Sequence, residues 1–125
     1  MRNAVNWFEI PVKDYNRAKQ FYTTVMGTKI TDLPMPEQNM KYGTFAYDED
    51  NNGVGGAIVE GDGQVPTNNG TTIYLNGGED LNLALEKVEP LGGKIIMPKT
   101  DIGQFGFIAQ FIDTEGNKVA LHSIM

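Results

Sequence analysis

The sequence predicts an α+β fold of two βαβββ modules, because hairpin-like segments repeat and each module has the same order of elements. Residues 48–54 and 113–119 match at a constant shift of 65 positions. The matched pairs are Asp48 with Asp113, Asn52 with Asn117, and Val54 with Val119. Each segment lies between two strand-like runs, which is typical of a β-hairpin turn. A repeat of this kind predicts two similar halves.

The repeat divides a single domain, residues 1–125, into a first module over 1–61 and a second over 70–125. Residues 62–69 are rich in Gly, Asn and Pro and form the predicted linker. A unit of about 60 residues buries only about 60% of its unfolded surface. The halves are therefore expected to pack together within one chain or to pair with the halves of a second chain.

The first module begins with a predicted strand over residues 4–12, followed by a helix with Asp14 as its N-cap and Gly27 at its end. Apolar residues recur along this helix at i, i+3, i+4 and i+7. They are Ala18, Phe21, Tyr22 and Val25. Three further strands are predicted over residues 28–33, 41–47 and 54–59.

The second module repeats this order with a strand over 71–76, an N-cap at Asp80 and a helix that ends at Gly92 and Gly93. Its apolar stripe consists of Leu81, Ala84, Leu85, Val88 and Leu91. Three strands follow, over residues 94–97, 106–112 and 118–124. Asp80 comes 66 residues after Asp14 rather than 65, which predicts an inserted residue near Gly77 and Gly78.

Composition excludes several classes of function. The net charge of −6 and the absence of clustered Lys and Arg argue against a nucleic-acid partner. With zero cysteines the chain has no disulfide, zinc-thiolate site or cysteine nucleophile. No apolar run approaches membrane-spanning length, and residues 1–8 do not resemble a signal peptide. We expect a cytoplasmic protein with no membrane partner.

Five segments of the chain form a recognisable set: residues 9–14 (EIPVKD), 18–22 (AKQFY), 25–27 (VMG), 92–94 (GGK) and 111–119 (FIDTEGNKV). Together they resemble the vicinal oxygen chelate superfamily, the group of glyoxalases, bleomycin resistance proteins and extradiol dioxygenases. The resemblance covers essentially the whole chain. It implies two βαβββ modules whose curled mixed sheets surround a cavity, with a divalent metal bound by one side chain from the first and last strand of each module.

The metal ligands that the resemblance implies are missing from this chain. The first-strand position two places before Glu9 holds Trp7, and its repeat partner is Thr72. The last-strand positions fall on Gly55 or Gly56 and on Ala120. First-row metals need imidazole, carboxylate or thiolate donors. We therefore expect no metal and no other cofactor, which disfavours the metal-dependent glyoxalase and dioxygenase reactions.

Glu9 and His122 are the candidate catalytic residues. Side chains alternate across a strand, so Glu9 shares the face of Trp7 and His122, the only histidine, shares that of Ala120. The two could exchange a proton as base and acid. The alternative is a buried, satisfied polar pair that only fixes strand register, and this is the commoner role for such a pair.

Five further residues are candidates for binding a small molecule in the cavity: Trp7, Tyr74, Gln110, Phe107 and Met97. Trp7 and Tyr74 are either stacking platforms or core aromatics. Gln110 needs a hydrogen-bond partner if it is buried. Met97 and Phe107 lie near Gly103 and Gly106, in a segment that is either a mobile lid or a bulged edge strand.

Three functions follow from these observations. The first is metal-free binding of a small, partly aromatic or apolar molecule. The second is a metal-independent lyase or isomerase that uses Glu9 and His122. The third is a subunit without ligand that serves only dimerisation. A homodimer is expected in each case, because strand edges need cover and two-fold dimers are the commonest oligomers.

Overall fold

The computed structural model describes residues 3–35 and 39–125 and contains two four-stranded mixed sheets. In each sheet the first strand of a module runs parallel to the last, and the other neighbours are antiparallel. The first sheet has the order β1-β4-β3-β2 and consists of β1 (Trp7–Pro11), β2 (Ile30–Leu33), β3 (Lys41–Phe45) and β4 (Gly55–Glu60). The second has the order β5-β8-β7-β6 and consists of β5 (Tyr74–Asn76), β6 (Lys94–Asp101), β7 (Phe107–Ile112) and β8 (Lys118–Ser123). The predicted fold of two βαβββ modules is confirmed.

Helix α1 (Tyr15–Met26) forms as its sequence predicts. The Asp14 side chain accepts a hydrogen bond from the backbone N–H of Arg17 at 3.1 Å. Gly27 ends the helix in the left-handed region, at a φ of 61°, where other residues are strained. All four residues of the predicted apolar stripe are buried.

Helix α2 (Asn82–Leu85) is shorter than predicted. Asp80 accepts a hydrogen bond from the backbone N–H of Asn82 at 3.0 Å, but the chain continues as turns beyond Leu85. Beyond Glu86 the backbone hydrogen bonds join residues three apart, from Lys87 to Ala84 and from Val88 to Leu85, and Pro90 has no N–H with which to continue the helix. Leu81, Ala84, Leu85 and Val88 are nevertheless buried. Neither helix of the described ranges is long and apolar enough to span a membrane.

Both helices pack into one core that the two sheets share. On the first sheet Ile10, Phe45 and Ile58 point into this core, and on the second sheet Phe111 and Leu121 do so. We call this side of each sheet the helix-covered face. Strand alternation places Trp7, Glu9 and Tyr42 on the opposite side of the first sheet, and Tyr74, Gln110 and His122 on that of the second. We call these the open faces.

The strand register corrects one detail of the predicted repeat. Trp7 lies opposite Gly55, whereas Tyr74 lies opposite Ala120, the repeat partner of Gly55. Tyr74, not Thr72, therefore occupies the position equivalent to Trp7. The path from Tyr74 to Asp80 is then one residue shorter than that from Trp7 to Asp14, so the predicted insertion near Gly77 and Gly78 is wrong.

The hairpin at 113–117 fixes the second module against the start of α1. Glu115 has a fully buried carboxylate that accepts the backbone N–H groups of Lys13 and Asp14 at 2.9 and 2.8 Å. Arg17 donates to both carboxylate oxygens of Glu115, at 2.7 and 3.0 Å. Burial acts to raise the pKa of Glu115, but the hydrogen bonds outweigh it and hold the pKa at about 2.

The same hairpin contains a second buried carboxylate, Asp113. It accepts the backbone N–H groups of Glu115 and Asn117 and the hydroxyl of Tyr22, the last at 2.6 Å. Burial first, and then the neighbouring carboxylate, raise the pKa of Tyr22. Asn117 also donates to the carbonyl of Pro11 at 2.7 Å. The turn sequence that carries the family resemblance thus joins the two modules.

Candidate functional site

A chain of hydrogen bonds crosses the open face of the first sheet. The indole N–H of Trp7 donates to the hydroxyl oxygen of Tyr42 at 2.9 Å, and that hydroxyl donates to Oε2 of Glu9 at 2.8 Å. The three side chains come from β1 and β3, with β4 between them. On β4 the small residues Gly55 and Ala57 lie opposite Trp7 and Glu9, and Val59 lies opposite Tyr42, so Tyr42 reaches Glu9 diagonally across this strand.

The charges around Trp7, Tyr42 and Glu9 fix the direction of the hydrogen bonds between these side chains. Partial burial and the Glu9 carboxylate raise the pKa of Tyr42, while the indole N–H of Trp7 acts in the opposite direction. Tyr42 therefore keeps its proton and donates it to Glu9. Glu9 is exposed, and its second oxygen, Oε1, is available to a hydrogen-bond donor from outside the protein.

Tyr47 extends the same surface beyond β3. Its ring meets that of Trp7 edge to face, with centroids 6.1 Å apart and an interplanar angle of 82°. A Cβ atom at Gly55 would lie 2.5 Å from the Tyr47 ring, so only glycine fits beneath it. Beside these rings is an open groove of about 410 Å³. Its lining includes Trp7, Thr31, Thr44, Tyr47 and Glu49.

The open face of the second sheet carries a separate set of polar contacts. The amide of Gln110 donates to the hydroxyl of Tyr74 at 3.2 Å, which supplies the partner that Gln110 was expected to need. Met97 lies beside Gln110 on the neighbouring strand. The ladder between β6 and β7 is irregular on both sides of Met97, which matches the bulged-strand alternative for this segment.

Glu9 and His122 have different partners in the structure. Glu9 accepts from Tyr42, whereas Nε2 of His122 lies 2.6 Å from the carbonyl oxygen of Phe105. A carbonyl only accepts, so Nε2 of His122 carries a proton and donates it. No hydrogen bond or ion pair joins Glu9 to His122 within the described ranges.

Phe107 lies apart from the other predicted binding residues. It is opposite Ser123, packs against the shared core on the helix-covered face, and has the ammonium of Lys99 4.6 Å from its ring centroid. Strand alternation separates it from Gln110, three residues later, because positions an odd number apart lie on opposite faces. Of the residues predicted to form the site, those on the open faces are Trp7, Glu9, Tyr74, Met97, Gln110 and His122.

The side chains at the family's metal positions do not fit a divalent metal. With the observed register these positions are held by Trp7, Gly55, Tyr74 and Ala120, which supply neither imidazole nor carboxylate. Across residues 3–35 and 39–125, no three side chains of His, Cys, Asp or Glu come together in a way that could hold a metal ion.

Sequence reasoning missed Tyr42, Tyr47 and Glu49. Tyr42 could have been found, because alternation from the apolar Phe45 places Tyr42, three residues earlier, on the opposite face of the strand. Tyr47 and Glu49 come after β3 ends. The place of Tyr47 over Gly55 and of Glu49 beside the groove depends on how the chain turns, which no periodic pattern encodes.

Comparison with known sequences decides the family. A sequence profile of the Glyoxalase/Bleomycin resistance protein/Dioxygenase superfamily matches residues 4–121. The chain belongs to this superfamily. Two curated proteins of Mycobacterium bovis and Mycobacterium tuberculosis, both named "Putative glyoxylase CFP32", are 30% identical to it over 118 residues. The match covers 93% of this chain but only 44% of those superfamily members.

Solved structures of the superfamily have the same fold. An E144Q mutant of glyoxalase I from Zea mays has a TM-score of 0.72 at 22% identity, over 95% of this chain and 46% of that one. The fosfomycin resistance protein FosX from Listeria monocytogenes has a TM-score of 0.65 at 18% identity, over 98% of this chain and 92% of that one. At these identities the likeness concerns the fold alone.

Proposed function

We propose that the open face of the first sheet binds a small, flat, partly apolar molecule, and that it does so without a metal. The observation that carries this proposal is the hydrogen-bonded chain of Trp7, Tyr42 and Glu9 beside an open groove. Trp7 is 40% exposed and Tyr47 is 40% exposed, so aromatic surface is available for stacking. Exposed aromatics with convergent polar groups are typical of ligand sites.

The charges around the groove favour a ligand with hydrogen-bond donors and a neutral or positive charge. Glu9 offers a free carboxylate oxygen, and Glu49 lines the groove. Both groups are carboxylates, so an anionic ligand is disfavoured at this groove. A flat aromatic amine matches these features, because its ring can stack on Trp7 while its amine donates to Glu9.

Binding is favoured over the lyase or isomerase alternative. Proton transfer between Glu9 and His122 would require both side chains to leave their present partners, and Nε2 of His122 already donates to Phe105. Glu9 in its present position is equipped to accept a hydrogen bond from a ligand.

A fluorescence titration tests the proposal. Trp7 is the only tryptophan, so quenching of its emission by 9-aminoacridine, a flat aromatic amine, reports this face directly. Glu9→Gln keeps an acceptor for Tyr42 but loses the charge, and should weaken binding about tenfold, since a charge-assisted hydrogen bond contributes about 1.5–3 kcal/mol.

Glu86→Gln is the matched control, because Glu86 is exposed beyond α2 and should leave the affinity within about twofold. Absence of saturable quenching in the unchanged protein would remove the basis of the proposal. Equal affinities of the Glu9→Gln variant and the unchanged protein would do the same.

We further propose that two copies form a homodimer that covers part of the open faces. Leu33 and Tyr74 lie on the open faces outside the groove lining and expose 47% and 44% of their surfaces in the single chain. A dimer interface over these residues would cover this apolar surface and leave the groove open. Sedimentation at micromolar concentration should return about twice the chain mass of 13.8 kDa. A single species of monomer mass would contradict the dimer.

A further inference from the structure

The two modules meet at two junctions that the internal repeat relates, and only one of them is filled. At the filled junction the hairpin 113–117 docks on α1, and the Phe21 ring packs 6.0 Å from that of Phe111. At the other junction the equivalent hairpin stays exposed from Asp48 to Asn52. Between the modules there is a cavity of about 430 Å³, open to solvent.

A single difference between the repeated helices explains why this junction is empty. The shift of 66 that relates Asp14 to Asp80 also relates Phe21 to Lys87. Phe21 fills its junction, and a Cβ atom added at Gly93 would lie 3.1 Å from its ring. The position equivalent to Gly93 in the first module is Thr28, because each N–H bonds to the carbonyl five residues earlier, and Thr28 lines the open cavity. Lys87 therefore leaves space where the other module has an aromatic ring.

The cavity has an apolar body and one charged residue at its edge. Its apolar lining includes Phe8, Val25, Met26, Leu75 and Ala84. Lys87 is the charged lining residue, it is exposed, and it makes no ion pair within residues 3–35 and 39–125. Asn76 also lines the cavity. Its side-chain oxygen accepts a hydrogen bond from the N–H of Gly78, and its side-chain NH₂ group can donate to a ligand.

We propose that this junction cavity binds an apolar small molecule that carries one anionic group. The apolar part lies against Phe8, Leu75 and Ala84, and the anion pairs with Lys87. The volume falls within the range of about 300–1,000 Å³ that is typical of ligand pockets. Phe8 and Leu75 lie on or beside the helix-covered faces, whereas Trp7, Tyr47 and Glu49 line only the open-face groove. The two spaces share Phe45 and Ala46 in their linings, but the residues proposed to hold each ligand are different.

Two fluorescent probes of the same shape test the proposal. 8-Anilinonaphthalene-1-sulfonate is anionic, and N-phenyl-1-naphthylamine is its uncharged analogue. The unchanged protein should bind the anionic probe at one saturable site per chain. Lys87→Gln should weaken the affinity for the anionic probe about fivefold, as expected for a partly exposed charge pair. It should leave the affinity for the neutral probe within about twofold of that of the unchanged protein. Lys94→Gln, a change at an exposed lysine of β6, should alter neither.

Filling the cavity should abolish the binding of both probes. Lys87→Phe copies the residue of the filled junction and should remove binding while raising the melting temperature by a few degrees. Ala84→Phe fills the same space from a neighbouring position. This second variant tests the proposal even if the ring introduced at position 87 turns to solvent and leaves the cavity open. Saturable binding that survives both variants, or its absence from the unchanged protein, would overturn the proposal. A dimer that dissociates on Lys87→Phe would identify a second copy as the occupant and would also overturn it.

Discussion

Replacing Glu115 with Ala is expected to lower the free energy of unfolding by about 3 kcal/mol. The substitution removes the acceptor of two backbone N–H groups, those of Lys13 and Asp14, and the partner of Arg17. The two backbone N–H groups then lose their acceptor at a partly buried junction, and this accounts for most of the lost free energy of unfolding. Urea unfolding followed by circular dichroism measures the difference.

The repeat supplies a matched control for this prediction. Asp50 is the repeat partner of Glu115, but it is exposed, as are the other hairpin residues from Asp48 to Asn52. Asp50→Ala should therefore change the free energy of unfolding by no more than about 0.5 kcal/mol. Similar losses from both substitutions would mean that the hairpin at 113–117 does not join the modules as described.

The stability of the protein should fall steeply in acid because of the same carboxylate. The pKa of Glu115 is about 2 in the folded protein and 4.5 without the fold. A depressed pKa contributes stability that is fully present above pH 4.5 and is lost as the pH falls toward 2. The difference corresponds to about 3 kcal/mol.

Comparison with Glu115→Gln isolates this contribution. The pKa values of Asp32 and Asp80 are also lowered, chiefly by hydrogen bonds from Tyr15 and from Lys99, so other groups add to the acid sensitivity in the same direction. The test is therefore the difference between the two proteins. Between pH 4.5 and 2 the unchanged protein should lose about 3 kcal/mol more than the variant. Parallel curves would contradict the assignment.

Most of the fold could be predicted because its signals are local. The α1 cap, the apolar stripe and Gly27 each specify one part of a helix through neighbouring residues. The length of α2 was predicted less well, since its apolar stripe continues to Leu91 while Pro90 interrupts the backbone bonds. The register of β5 was missed because a strand of three residues, Tyr74–Asn76, has too few side chains to identify its partner.

The candidate site was predicted only in part. Alternation from Ile10 places Trp7 and Glu9 on one face, and the structure has them there. The partner of Glu9 could not be predicted, because Tyr42 comes from a strand 33 residues later and reaches Glu9 across β4. His122 lies on an open face, but its hydrogen bond to Phe105 depends on a turn whose path the sequence does not specify.

The most direct test follows the single indole N–H signal of Trp7 in a ¹H–¹⁵N spectrum during titration with 9-aminoacridine. The titration is run once in protein stripped of metal with EDTA, and once with added Zn²⁺. We expect the signal to shift in a saturable way with the same dissociation constant in both, because Trp7, Gly55, Tyr74 and Ala120 provide no metal ligands. A signal that does not move, or that moves only when Zn²⁺ is present, would contradict metal-free binding on the open face of the first sheet.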